Sequence, residues 1–182
     1  MKPVRFALIV AASLALAGCE NKEPAEMPAP YVLNQDAMGR YCGMNVLEHA
    51  GPKGQIILEK IPEAIWFSSA RDTVAFTMLP DEPKEIAAIY VSDMGKAPSW
   101  ERPGADNWID ARKAVFVIDS RVRGGMGAEE AVPFSSEEAA QAFIAKNGGR
   151  IVSFADLPET YILGAGGESY DGAEAPGGHD HG

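Results

Sequence analysis

The sequence predicts an α+β fold made of two similar strand-strand-helix-strand units, each a small sheet covered by one helix. An internal repeat, helix-capping serines inside both copies, and strand-forming runs around them carry that reading. WFSSARDTVAFTM, from Trp66, and PFSSEEAAQAFIA, from Pro133, share Phe-Ser-Ser and Ala-Phe at a single offset of 67 residues.

The elements follow in order. Strands are expected at 45–49 and 55–59, with Ala50-Gly51-Pro52-Lys53-Gly54 as the turn between them. Ser68 or Ser69 then caps a helix in which Val74 with Met78, and Ala75 with Leu79, follow helical spacing up to Pro80. IAAIYVSD, 86–93, closes the first unit. In the second unit AVFVID (114–119) and a segment ending in Val132–Phe134 precede a helix capped by Ser135 or Ser136. Ser135 with Glu138 fits a capping box, in which the serine accepts one orphan N–H and the glutamate accepts another. Ala139, Ala140, Phe143 and Ile144 form the apolar face, Asn147-Gly148-Gly149 ends the helix, and RIVSF (150–154) follows. The units therefore span 38–93 and 113–163, joined by a connector, 94–112, that holds Trp100 and Trp108. A stretch of that length without regular structure is often functional.

The ends have a different character. Lys2 and Arg5 precede an apolar run, Phe6–Ala17, which falls short of the roughly 20 residues a transmembrane helix needs. Residues 1–18 read as a signal peptide. Leu16-Ala17-Gly18-Cys19 resembles a bacterial lipobox, which implies an acylated Cys19 tethered to a lipid membrane without a span. Glu20, in place of an aspartate, favours the outer membrane. Residues 19–37 read as a flexible tether rich in proline, alanine and charge, and 164–182 as a disordered glycine-rich tail ending in His179 and His181. The net charge of −10 argues against a nucleic-acid partner.

Only two cysteines occur. If Cys19 carries lipid, Cys42 has no partner in its own chain. In an oxidising compartment such a thiol is buried and inert, paired with another chain, or bound to a metal. Met44 lies two residues on and, were this a strand, would share a face with Cys42 and not with His49. Gly43-Met44 and Gly125-Met126 occupy similar settings in the two units. Thiolate with thioether is a soft donor set that suits Cu(I). Met126 is the leading third donor, with His49, His179 and His181 as alternatives. A thiol enzyme would need a positioned base and oxyanion donors, which no motif here supplies. A c-type haem would need Cys-x-x-Cys-His, which is absent.

YCGMNVLEHAGPKGQIILEK, WFSSARDTVAFTMLPDEP, IYVSDMG, WIDARKAVFVIDS and MGAEEAVPF occur in this order. Together they resemble the NosL family of nitrous-oxide reductase accessory lipoproteins. The resemblance runs from about residue 38 to 157. It implies two related strand-strand-helix-strand units, similar to part of organomercurial lyase. It also implies a lipid-anchored protein on the periplasmic side of a bacterial membrane that binds Cu(I). The expected task is to supply copper to the maturation machinery of nitrous-oxide reductase, a membrane ABC-type complex with a periplasmic component. The alternative is a docking lipoprotein of that complex in which copper is incidental. Carried onto this chain, the motifs place copper at Cys42 and Met126, with Met44 as ligand or as part of the wall. Many relatives read Met-Gly-His-Glu where this chain has Met126-Gly127-Ala128-Glu129, and some have a second cysteine where Gly39 stands. The third donor is then Met44, His49, Met38, a tail histidine or a residue of the partner.

Overall fold

The computed structural model describes residues 26–164. The signal segment, Cys19, and the tail with His179 and His181 lie outside the described residues. β1 (Gly54–Leu58) and β2 (Ile61–Phe67) form a hairpin, followed by α1 (Ala70–Met78) and β3 (Ile86–Ser92). The connector contributes β4 (Trp108–Asp110). Then come β5 (Val115–Ile118), β6 (Val132–Phe134), α2 (Glu137–Asn147), β7 (Arg150–Ser153) and a final short α3 (Glu159–Leu163). The sheets run β2-β1-β3-β4 and β6-β5-β7, with every neighbouring pair antiparallel. In both sheets the first strand of the unit is central and the second and third flank it. The repeat in sequence is thus a repeat in topology, and the α+β reading holds.

The two helix starts match closely. Ser69 and Ser136 are the N-caps, with φ of −145° and −142°, and each hydroxyl accepts the N–H three residues on, from Asp72 and Ala139. The capping box expected at Ser135 does not form; the cap sits one residue later. The Ser135 N–H instead donates to the Asp93 carboxylate at 3.2 Å, which holds that residue outside the helix.

The first hairpin also differs from expectation. It turns at Glu59-Lys60, and 45–49 is no strand but a 3₁₀ turn, Val46–Glu48. The Asn45 side chain causes this, accepting the Leu47 N–H at 2.9 Å and giving the backbone a local alternative to a ladder. The tether reading of 19–37 is corrected as well for its later residues. Tyr31 exchanges two hydrogen bonds with the Gln55 side chain, the Leu33 N–H donates to Ala105, and Leu33 and Ala37 are buried.

One core serves both units. Val74 and Phe76 of α1 pack with Ile56, Phe67, Ile89 and Val91 of the first sheet, and Phe116, Ile118 and Val152 of the second sheet join the same cluster. Alternation along β5 sends Val117 the other way, to Val132, Phe134 and Ala140. The second sheet is therefore packed on both faces, by α2 on one and by the shared core on the other. The connector staples the halves: Trp100 stacks on Phe143 of α2 with ring centroids 6.5 Å apart, and Trp108 meets Trp66 of β2 at 6.0 Å.

β1 and α1 approach closely at Gly54, where an added Cβ would stand 1.8 Å from Thr73 Oγ1 and 2.7 Å from Thr73 Cβ. Overpacking of this kind costs about 1–3 kcal/mol. Gly54→Ala should therefore lower the urea midpoint with an unchanged slope; an unaltered midpoint would contradict the close packing described here.

Candidate metal centre

Cys42 sits in a tight loop hung on the edge of β2. Met38 bridges Asn45, Gly39 bridges Trp66, and the Arg40 N–H donates to the Trp66 carbonyl at 2.8 Å. Within the loop, Gly43 donates to Gly39 and Gly39 to Met44, each at 2.9 Å. Gly43 has φ +65°, the left-handed region that glycine enters without penalty. The expected strand through Cys42 and Met44 is absent, so its alternation does not apply. The 3₁₀ turn folds the chain back, and His49 arrives beside Cys42 instead of opposite it. His49 Nε2 lies 3.8 Å from Cys42 Sγ. The Ser68 hydroxyl donates to the same sulfur at 3.6 Å, and the Met44 carbonyl is 3.9 Å away. His49 is 8% exposed, and it also lines a largely apolar cavity of about 390 Å³ with Leu33, Leu47 and Lys53.

The second unit supplies a narrow loop. Arg123 bridges Glu129 and forms an ion pair with it at 3.3 Å, and the Gly124 and Gly127 N–H groups close the turn on Ala128 and Gly124. Met126 stands near the tip, 53% exposed. Its neighbour Gly125 packs directly on the first unit: a Cβ there would lie 2.7 Å from both His49 Cβ and the Ala50 carbonyl oxygen. The structure thus brings the loop carrying Met126 against His49, and His49 against Cys42. Met44 lies on the exposed rim of the Cys42 loop, and Met38 is exposed at its base. Ala128 is exposed in the Met126 turn, so a histidine at this position would enter from the same loop. At Gly39 a Cβ would stand 2.5 Å from Cys42 Sγ, so any side chain there points straight at the thiol.

Two buried charges hold these loops, and neither was singled out from sequence. Lys53, 1% exposed, donates from Nζ to the carbonyls of His49 at 2.5 Å, Ala50 at 3.1 Å and Ser68 at 3.4 Å. Burial pulls its pKa down to about 8, against the pull of Glu130 and Cys42 in the other direction. Glu130, also 1% exposed, accepts from the Ser69 hydroxyl and from the Arg71 and Ala131 N–H groups. Burial pushes its carboxyl up to about 7 despite those three donors. The available sequence signal was positional: Lys53 lies in Gly-Pro-Lys-Gly-Gln, and Glu130 directly follows the Met-Gly-x-Glu run.

The Cys42–His49 spacing suits one ion between them. With metal–sulfur and metal–nitrogen bonds of about 2.3 and 2.0 Å, two donors at a trigonal angle stand roughly 3.7 Å apart. Among the described residues no group of three or more His, Cys, Asp or Glu is gathered in a metal-holding arrangement. The thioethers in these two loops are those of Met38, Met44 and Met126, all three exposed.

Comparison with known proteins decides the family. The NosL family model matches residues 30–162. The chain belongs to the NosL family. The copper-binding lipoprotein NosL of Achromobacter cycloclastes is 44% identical over 161 residues, covering 88% of this chain and 83% of that protein. The copper-binding lipoprotein NosL of Stutzerimonas stutzeri is 29% identical over 175 residues, covering 96% and 87%. The crystal structure of the copper chaperone NosL from Shewanella denitrificans superposes with a TM-score of 0.67 at 31% identity, covering 72% of this chain and 96% of that one. The NosL match begins at residue 30, in accord with the packing of Tyr31 and Leu33 on the domain.

The raised pKa of Glu130 has a defined sign. The folded state holds its proton more tightly than the unfolded chain, so its contribution to stability is full below about 4.5 and is lost as pH rises through about 7. The depressed Lys53 works in the opposite sense, losing its contribution as pH falls through about 8. Glu130→Gln should therefore gain stability relative to the parent between pH 5 and pH 8, by up to about 3 kcal/mol. Denaturant melts of both proteins at the two pH values check this, and a constant difference would contradict it.

Proposed function

We propose that this protein is a Cu(I) chaperone whose ion is held between its two units by Cys42, His49 and Met126, with Met44 at the rim. The carrying observation is the Cys42–His49 approach together with the packing of Gly125, next to Met126, on His49. The names of its relatives support copper as the metal. The donor set supports the monovalent state, since thiolate, thioether and imidazole are soft or borderline ligands. His49 takes the place left open by Ala128. The proposed set omits Met38, His179 and His181, because three protein donors already complete a trigonal site.

Such a site suits transfer. Met126 and Met44 are exposed, so an incoming donor from a partner can reach the ion before Cys42 releases it. Each exchange then replaces one metal–donor bond with another and never strips the ion bare. A closed four-coordinate site would favour retention. Cys42 is the one cysteine among the described residues, and its free thiol is consistent with this use, because copper occupies a sulfur that oxidation would otherwise claim. We assign delivery to the maturation machinery of nitrous-oxide reductase, an ABC-type membrane complex with a periplasmic component. Acylated Cys19 would hold the chain to the periplasmic face of a membrane.

A docking role without transfer is the second reading. It is favoured by one observation: Met38, Tyr41, Leu47 and Met126 are exposed apolar side chains in the same two loop regions. Two measurements separate the readings. The protein should bind one Cu(I) in competition with a chromophoric chelator. Cys42→Ser should lose most of the affinity, and His49→Ala about tenfold or more, or 1.4 kcal/mol. Unchanged binding in Cys42→Ser would remove the assignment. In cells at limiting copper, the Cys42→Ser/Met126→Ala double variant should fail to support nitrous-oxide reductase activity, whereas full activity would leave docking as the function.

A further inference from the structure

We propose that Glu130 is a positioning residue of the two-unit site. Its buried side chain fastens the Met126 loop to the corner of the first unit that faces Cys42, so metal affinity depends on it although it does not touch the ion. This inference rests on the copper reading above.

The contacts form one continuous path. Glu130 leaves the second unit just after the Met126 turn and reaches the start of α1. There Oε1 accepts the Ser69 hydroxyl at 3.1 Å and the Arg71 N–H at 2.8 Å, and it accepts the Ala131 N–H of its own unit at 3.0 Å. Ser69 is the N-cap of α1, so the carboxylate also meets the positive end of a helix of nine residues. The preceding residue, Ser68, donates its hydroxyl to Cys42 Sγ and offers its carbonyl to Lys53. From the Met126 loop to the Cys42 thiol there is thus a chain of direct contacts through Glu130, Ser69 and Ser68.

The loop is shaped to close on that side chain. Gly124 lies over Glu130, where a Cβ would be 2.7 Å from Oε2, and Gly125 lies over His49. Two successive glycines let the backbone descend onto two neighbours belonging to the two halves of the proposed site. Oε2 itself is buried with no hydrogen-bond partner. A carboxyl group in such a place costs more than an apolar side chain that fills the same volume. What it offers in return is directional: three donors from two units converge on one oxygen and set the register of the loop.

The test uses the full chain, purified in detergent, with Cu(I) affinity read by chelator competition. Hydrogen exchange on the metal-free protein supplies a second readout. Glu130→Ala should lower Cu(I) affinity by about tenfold, the scale on which groups that orient a ligand act. Glu130→Gln, which keeps the accepting oxygen, should stay within about threefold of the parent. In a Met126→Ala background, Glu130→Ala should cause no further loss, because the donor it places is already gone. Without metal, Glu130→Ala should deprotect the Gly124 and Gly127 amides while those of β1 and β3 stay protected. Parent-like affinity with a protected loop would overturn the proposal, as would an equal loss with and without Met126. If Glu130→Ala does not fold, Gly124→Ala replaces it. The added methyl levers the loop away from an intact Glu130, and parent-like affinity there would also overturn the proposal. Should Met126→Ala alone bind as the parent does, the copper reading fails. The amide exchange then decides the positioning role separately, with a loosened loop supporting it and a protected one refuting it.

Discussion

The packing of the second sheet against the first unit's helix is the contact on which the rest depends. Phe116, Ile118 and Val152 enter the cluster built by Val74, Phe76, Ile56 and Ile89. Because β5 is central and only four residues long, its alternation leaves no freedom: Phe116 and Ile118 face the shared core and Val117 faces α2. That arrangement sets how the units face each other. It brings Gly125 down onto His49 and Glu130 onto the start of α1, and so carries Met126 to the side of the first unit where Cys42 hangs. Separated units would each expose half of a core and half of a candidate site.

The polar contacts refine what the core places coarsely. Lys53 gathers three carbonyls from around Cys42 and His49, and Glu130 gathers donors from α1 and from its own strand. Neither is an economical way to fill an interior, since burial works against the charge of both. Their value is geometric. Loops that carry exposed sulfur cannot be held by apolar burial alone, because the exposed side chains contribute little. Buried anchors beneath the loops supply the rigidity that the surface above them cannot.

Much of the fold was legible because the repeat stated it twice. Phe67 and Phe134 end equivalent strands, and Ser69 and Ser136 cap equivalent helices at nearly identical backbone angles. The region around Cys42 was read less well, for a physical reason. The segment 45–49 reads as a strand from its place before the Ala50–Gly54 turn, yet the Asn45 side chain turns the backbone locally into a 3₁₀ helix. Periodicity cannot register a single side-chain hydrogen bond. The same turn moved His49 from the expected far side to a place next to the thiol. Glu130 was missed because a glutamate beside another glutamate looks like solvated surface; only the fold shows it buried against α1. The soft-donor argument for Cys42 and Met126 stood on residue chemistry, and the structure adds the route by which one loop meets the other.

Methyl-labelled methionine offers the most direct test that copper sits between the units. With [13C-methyl]methionine protein titrated with Cu(I) under reducing conditions, the Met126 resonance should shift and saturate at one equivalent, accompanied by changes in the His49 ring. Met78 and Met94, which pack against the apolar clusters, serve as internal controls and should hold their positions. A site confined to the Cys42 loop would instead shift Met44 while Met126 stays unmoved at saturation, and that result would contradict the account.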